Sequence, residues 1–287
     1  MSLSGLLGTV AEDPQLRNAL QYVGQPGAGD ADLVAPPALR PLLVAALATM
    51  SGAHDSSEQD NPRFVLAITA TAREAEDLTN ALTSLLPDPQ AAGYFPAWET
   101  LPHERLSPRS DTSGRRLAVL RRLIRPEHGD PRSGPLQVVA TPIRSVLQPL
   151  VSGLGELEPV RLDQGKHAEL EDVVARLVEI GYARVDLVTN RGEIAVRGGI
   201  LDVFAPTEEH PLRVEFFGSE IEEIRPFRAA DQRSLGTSVE SLWAPPCREL
   251  LLTPGVRHRA KQLAGEYPGL GDVLDPGRAA PCQAARR

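Results

Sequence analysis

The sequence predicts an α/β unit followed by an α+β unit built on an antiparallel sheet. Short apolar runs alternate with helical periodicity between Leu33 and Ala140, the pattern of strands paired in parallel through crossover helices. Beyond Val151 a single amphipathic helix precedes four strand-like runs separated by turn residues, which suits antiparallel pairing. At 287 residues the chain exceeds the usual size of one core. The expected organisation is an N-terminal helix and linker over 1–32, the α/β unit over 33–150, the antiparallel unit over 151–232, and the start of a third unit over 233–287 with a divergent tail.

Within this frame Ser2 to Gln21 read as one amphipathic helix, and the Gly/Ala/Asp-rich stretch Gly24 to Asp32 as a loop. Leu33-Val34-Ala35 is the expected first strand, followed by a helix over Ala38 to Met50, an exposed loop over Ser51 to Pro62 and a strand over Phe64 to Ile68. The next helix is marked by a capping-box spacing at Thr71 and Glu74 and by Ala75, Leu78, Leu82 and Leu85 on one face, with Pro87 beyond its end. After Tyr94-Phe95-Pro96 the chain reads as irregular. A helix follows over Asp111 to Leu123, with Leu117 and Leu120 inward and its arginines outward; then come a polar loop and the strand Leu136 to Ala140.

The helix Ala168 to Ile180 places Leu170, Val173, Val174, Leu177 and Val178 together and stops at Gly181. Strands are expected over Ile194 to Arg197, Gly199 to Phe204, Leu212 to Phe217 and Glu220 to Arg225. In the third of these Leu212, Val214 and Phe216 alternate with Arg213, Glu215 and Phe217, which gives one apolar and one partly solvated face.

Composition narrows the function. A formal charge of -8 argues against non-specific DNA binding by the whole surface, because phosphate contacts need clustered cations. Cys247 and Cys282 stand far apart without histidine or cysteine in ligand spacing, so no zinc site and no disulfide framework is expected, and a cytoplasmic location fits. No apolar run approaches the ~20 residues of a membrane span.

A nucleotide cradle at the first strand-to-helix turn needs glycine for close backbone approach, free amides, and Lys with Ser or Thr. The corresponding turn, Ala35 to Pro41, has none of those residue types, and its three prolines remove amide donors. Arg40 reads as a solvated helix-start residue. No Asp-Glu pair follows a strand to hold Mg²⁺, so no cofactor is expected. His103, His167 and His210 lack a nucleophile motif nearby, Glu220, Glu222 and Glu223 read as a solvated strand face, and Trp98 and Trp243 as core anchors.

Two stretches carry a family resemblance. Phe95 to Pro108 (FPAWETLPHERLSP), followed by Asp111 and Arg115-Arg116-Leu117, is one; Tyr182 to Asp186, Arg191 to Glu193, Val196 to Phe204, Arg213 to Gly218 and Asp231 to Leu235 form the other. The region from Leu33 to about Leu263 resembles the N-terminal, UvrB-like part of bacterial transcription-repair coupling factors (Mfd).

That resemblance implies a UvrB domain 1A-like sheet with a degenerate P-loop site, then a domain 2-like and the start of a 1B-like unit. It implies UvrA as partner through arginines on the exposed face of the second unit, which map to Arg184 and Arg197, with Leu201 and Phe204 nearby. UvrB carries a further arginine at the place of Ala195. RNA polymerase and DNA are expected to engage only downstream parts of the family protein. An adaptor without its own ATPase is thus the first expectation, and an ATP-dependent DNA translocase or helicase the alternative.

Overall fold

The computed structural model of the chain describes residues 3, 5–24, 29–49, 64–101, 107–127 and 132–267. Contacts divide the chain into Met1–Glu249 and Leu250–Arg287. The N-terminal residues form two helices, α1 (Gly5–Glu12) and α2 (Pro14–Gly24), where one was expected. The break is local chemistry: Pro14 has no amide to continue α1, and the Asp13 carboxylate accepts from the Leu16 amide at 2.9 Å to start α2.

Leu33-Val34-Ala35, expected as a strand, pairs with nothing among the described residues; Val34 is fully exposed. Proline follows at once, and one 3-10 turn (Pro37–Leu39) leads into α3 (Arg40–Thr49). Residues 51–62, expected as a loop, lie outside the described residues, as does the tail beyond 267.

The first strand is β1 (Val65–Thr69), which enters α4 (Ala72–Leu85). The capping box forms as expected: Thr71 Oγ1 accepts from the Glu74 amide at 3.2 Å and the Glu74 carboxylate from the Thr71 amide at 3.1 Å. That helix start therefore already holds its own anion. Next come β2 (Ala92–Tyr94), α5 (Ser110–Ile124), β3 (Val138–Pro142) and α6 (Ile143–Leu147). The strands pair in parallel in the order β1-β3-β2. Side chains alternate along β3, so Val138 joins α3 and α4 residues on one face while Val139 packs with Val119, Leu136 and Phe95 on the other.

The arginines of α5 were expected to face outward, yet Arg116 is fully buried. Its guanidinium lies 4.3 Å from the Phe95 ring centre and 5.0 Å from that of Trp98. Arg116 Nε donates to Glu249 Oε1 at 2.6 Å and Nη1 to the Pro96 carbonyl at 2.8 Å. The partner carboxylate lies far along the chain, so helical periodicity could not see it.

The antiparallel part comprises β4 (Val160–Asp163), α7 (Leu170–Glu179), β5 (Ala183–Arg184), β6 (Glu193–Arg197), β7 (Ile200–Val203), β8 (Leu212–Phe217), β9 (Glu220–Pro226) and β10 (Ser241–Ala244). β5 to β9 form a five-stranded sheet in sequence order, and β10 returns to pair with β4. β6 to β9 pair antiparallel; the short β5 joins β6 in parallel. α7 buries Val173, Val174 and Leu177 on this sheet's core, but Val178 faces solvent, since one residue turns a helix by about 100°. Gly181, at φ +100°, ends the helix in a conformation other residues adopt at a cost. In the second unit, α8 (Pro254–Glu266) is capped by Thr253.

Removing one member of a buried, desolvated ion pair leaves the other uncompensated. Glu249→Ala is expected to cost about 3–5 kcal/mol of unfolding free energy, measured by urea denaturation; a loss within error of zero contradicts this role for the pair.

Candidate docking face

The sheet of β5 to β9 has two chemically distinct faces. Ile194, Leu201, Val203, Leu212, Val214 and Ile224 point into the core with α7. The opposite face carries the alternate residues: Ala195, Asp202, Arg213 and Arg225 in one cross-strand row, and Arg197, Ile200, Glu215 and Glu223 in the next.

Charge ties the first row together and joins it to the next. Arg213 makes a forked pair with Asp202, at 2.7 and 2.8 Å, and its guanidinium lies 4.6 Å from the Phe227 ring centre. The hydrogen bonds that Arg213 donates to Asp202 raise the Arg213 pKa against the opposing effect of burial. Arg225 bridges Glu215 at 2.6 Å and Glu223 at 2.9 Å. A small apolar cluster of Val188, Ala195, Phe204 and Phe227 covers one end of the same face.

Of the expected site residues, Arg184 and Arg197 are exposed at neighbouring strands β5 and β6 but on opposite faces: Arg184 is in register with the core-facing Ile194, whereas Arg197 shares the outer face with Ala195. Neither forms an ion pair among the described residues; Arg197 reaches only the Asp186 carbonyl, at 3.5 Å. Leu201 and Phe204 are placed differently. Leu201 is 0% exposed within the sheet's core, and Phe204 is buried with the Arg191 guanidinium 5.0 Å from its ring centre. Both can act on a partner only through the fold.

Ala195, where the resemblance puts an arginine in UvrB, is 1% exposed beneath Phe204 and Phe227. An arginine there would have to displace that cluster, so the difference concerns packing as well as a lost donor. Phe217 went unselected in the sequence, although its alternation with Glu215 already placed it on the solvated face. It is 77% exposed at the end of β8, beside the Gly198-Gly199 turn that follows Arg197. Gly199 lies so close to the Phe216 carbonyl that a Cβ there would sit 2.9 Å from its oxygen.

A carboxylate organises the approach to β6. Glu193 Oε2 accepts from the Thr189 and Asn190 amides, each at 2.8 Å, and from the Thr189 hydroxyl at 3.3 Å, while Oε1 accepts from the Asn190 side chain at 3.0 Å. Burial pushes the Glu193 carboxyl up, but these hydrogen bonds together outweigh it and hold the group below its ordinary value.

The residues weighed for catalysis do not converge. The His167 ring lies 3.4 Å from the Ser219 hydroxyl, and Glu223 is taken up by Arg225. His103 lies outside the described residues. Arg40 is exposed at the start of α3. The Cys247 thiol is buried, and burial pushes its pKa up to about 12, which leaves it a poor nucleophile; Cys282 lies outside the described residues. Among the described residues no three His, Cys, Asp or Glu side chains group to hold a metal ion, and no helix is long and apolar enough to cross a membrane.

Comparison with known proteins covers the segment that carries this sheet. Residues 160–248, from the start of β4 to just beyond β10, match the family model of the UvrB interaction domain. The chain therefore carries a domain of UvrB-interaction type, built on the sheet described above. It is 48% identical over 269 residues to the transcription-repair-coupling factor of Mycobacterium tuberculosis, covering 93% of this chain and 20% of that protein. It is 33% identical over 210 residues to the Bacillus subtilis factor, covering 72% of this chain and 17% of that protein, and 31% identical over 153 residues to the Escherichia coli factor, 53% and 12% respectively. The chain belongs to the transcription-repair-coupling factor family, as an N-terminal region of it. It spans about a fifth of the length of the mycobacterial relatives.

Two outcomes follow from the placement. Leu201→Ala should lower unfolding stability by about 2–5 kcal/mol, measured by denaturant titration; a smaller loss would move Leu201 out of the core. The Glu193 hydrogen bonds stabilise the fold above the ordinary carboxylate value of 4.5, and that contribution is lost as pH falls through the lowered one. Glu193→Gln should therefore lose less additional thermal stability than the parent chain as pH drops below 4.5. Superimposable acid limbs in melting scans would contradict it.

Proposed function

We propose that this chain is an adaptor module that docks UvrA, within a protein that couples transcription to nucleotide excision repair. The observation that carries the reading is the pair of exposed arginines, Arg184 and Arg197, unmatched by carboxylates on one preformed sheet within the segment that matches the UvrB interaction domain. Arginine offers a rigid planar fork of donors, little of whose freedom is lost on binding carboxylates. Leu201 supports the strands from the inner face, and Phe204 from the apolar cluster at one end of the outer face.

RNA polymerase and DNA are engaged by other parts of the longer family protein, and UvrA is thereby recruited to the stalled polymerase. Phosphoryl transfer also belongs elsewhere: the Ala35 to Pro41 turn is short of amide donors and lacks Gly and Lys, and the α4 start is filled by Glu74.

Arg184→Ala and Arg197→Ala should each weaken UvrA binding by about 1.4 kcal/mol or more, roughly tenfold, in a calorimetric titration, with far-UV spectra unchanged. Parental affinity in both variants would overturn the assignment.

A further inference from the structure

A cleft of about 710 Å³ runs beside β2, one of the two edge strands of the parallel sheet. Ala92, Gly93 and Tyr94 form one of its walls, and Trp243, Arg132 and Glu208 stand among the others. The Phe95 amide and the Ala91 carbonyl bond β3-side partners, the Ala140 carbonyl and the Gln137 amide. Polar groups alternate in direction along a strand, so Tyr94 turns its amide and carbonyl away from β3. No strand among the described residues pairs on that side.

The two rims carry opposite charge. α4 covers one face of the sheet and α5 the other, as their separate clusters with Val138 and Val139 show. Glu76 on α4 and Arg115 on α5 both line the cleft and both act electrostatically on the Tyr94 hydroxyl. Neither has an ion-pair partner among the described residues; Arg132, by contrast, lies 3.4 Å from Glu208. In the far wall the indole N–H of Trp243 is buried without a hydrogen-bond acceptor among the described residues, a costly state for a polar group.

We propose that this cleft binds an extended peptide, added to the edge of β2, that carries an acidic and a basic side chain at consecutive positions. A strand edge offers donor and acceptor together, which is what a peptide backbone needs. Successive side chains of the added strand point to opposite faces. One therefore meets Arg115 on the α5 side and the next meets Glu76 on the α4 side. A carbonyl on the guest's outer edge supplies the acceptor that the Trp243 indole lacks. A phosphate-bearing ligand fits less well: of the three arginines that line the space, Arg132 pairs with Glu208 and Arg122 donates to the Gly134 and Gln90 carbonyls, and Glu76 faces the remaining Arg115.

The test is ¹⁵N-resolved NMR of the full chain titrated to millimolar concentration with the capped peptides Thr-Val-Glu-Arg-Val-Thr and Thr-Val-Arg-Arg-Val-Thr. The first should bind saturably, shifting the Tyr94 amide and the Trp243 indole signal and slowing exchange of the Tyr94 amide. Arg115→Glu makes both rims acidic; it should weaken the Glu-Arg peptide by about threefold to fivefold, as expected of a partly exposed ion pair, and reverse the preference toward Arg-Arg. Arg115 lies on the cleft rim, so resonances remote from it report that the fold is intact. No shift at Tyr94 or Trp243, or a preference untouched by Arg115→Glu, would overturn the proposal.

Discussion

The buried Arg116 guanidinium is the interaction on which the joint between the parallel sheet and the antiparallel part depends. It stacks on Phe95 and Trp98, just after β2, and pairs with Glu249, just beyond β10. The Trp98 indole donates to the same carboxylate at 2.9 Å. One cation thus ties the end of the parallel sheet to the segment that follows the antiparallel part. Close packing reinforces the joint: a Cβ on Gly114 would collide with the Pro206 ring, and one on Gly192 with Ser110. Replacing these glycines would wedge α5 away from the antiparallel part.

Division of labour between the two faces of the second sheet follows from its alternation. The inner face is continuous with α7 and leaves no apolar row for a partner. The outer face is a charged lattice, in which Asp202, Glu215 and Glu223 already satisfy Arg213 and Arg225. Arg184 and Arg197 stand outside that lattice, so binding a carboxylate there breaks no internal pair. Preorganisation of this kind lowers the cost of association.

Much of this was legible in the sequence, and the misses share a cause. Local signals held: the Thr71–Glu74 capping box, the apolar stripe of α7 and the alternation in β8 are dictated by neighbours a few residues away. What failed was long-range. The three-residue β2 is too short to show a period, and β4 and β10 recognise each other across nearly the whole antiparallel part. Arg116 reads as a surface arginine until Glu249 is placed beside it. Leu33-Val34-Ala35 has the right residues for a strand but finds no partner among the described residues. At the candidate site, periodicity identified which face each residue shares, while the burial of Leu201 and Phe204 required the neighbouring strands.

The central claim is that UvrA meets the β5–β6 edge of the antiparallel sheet, where Arg184 and Arg197 are exposed on either side. Hydrogen–deuterium exchange of the chain with and without saturating UvrA tests it directly. The account predicts slowed exchange from Ala183 through Leu187 and from Val196 through Ile200, with α3, α4 and β1 unchanged. Protection confined to the parallel sheet, or none in either segment, would contradict it.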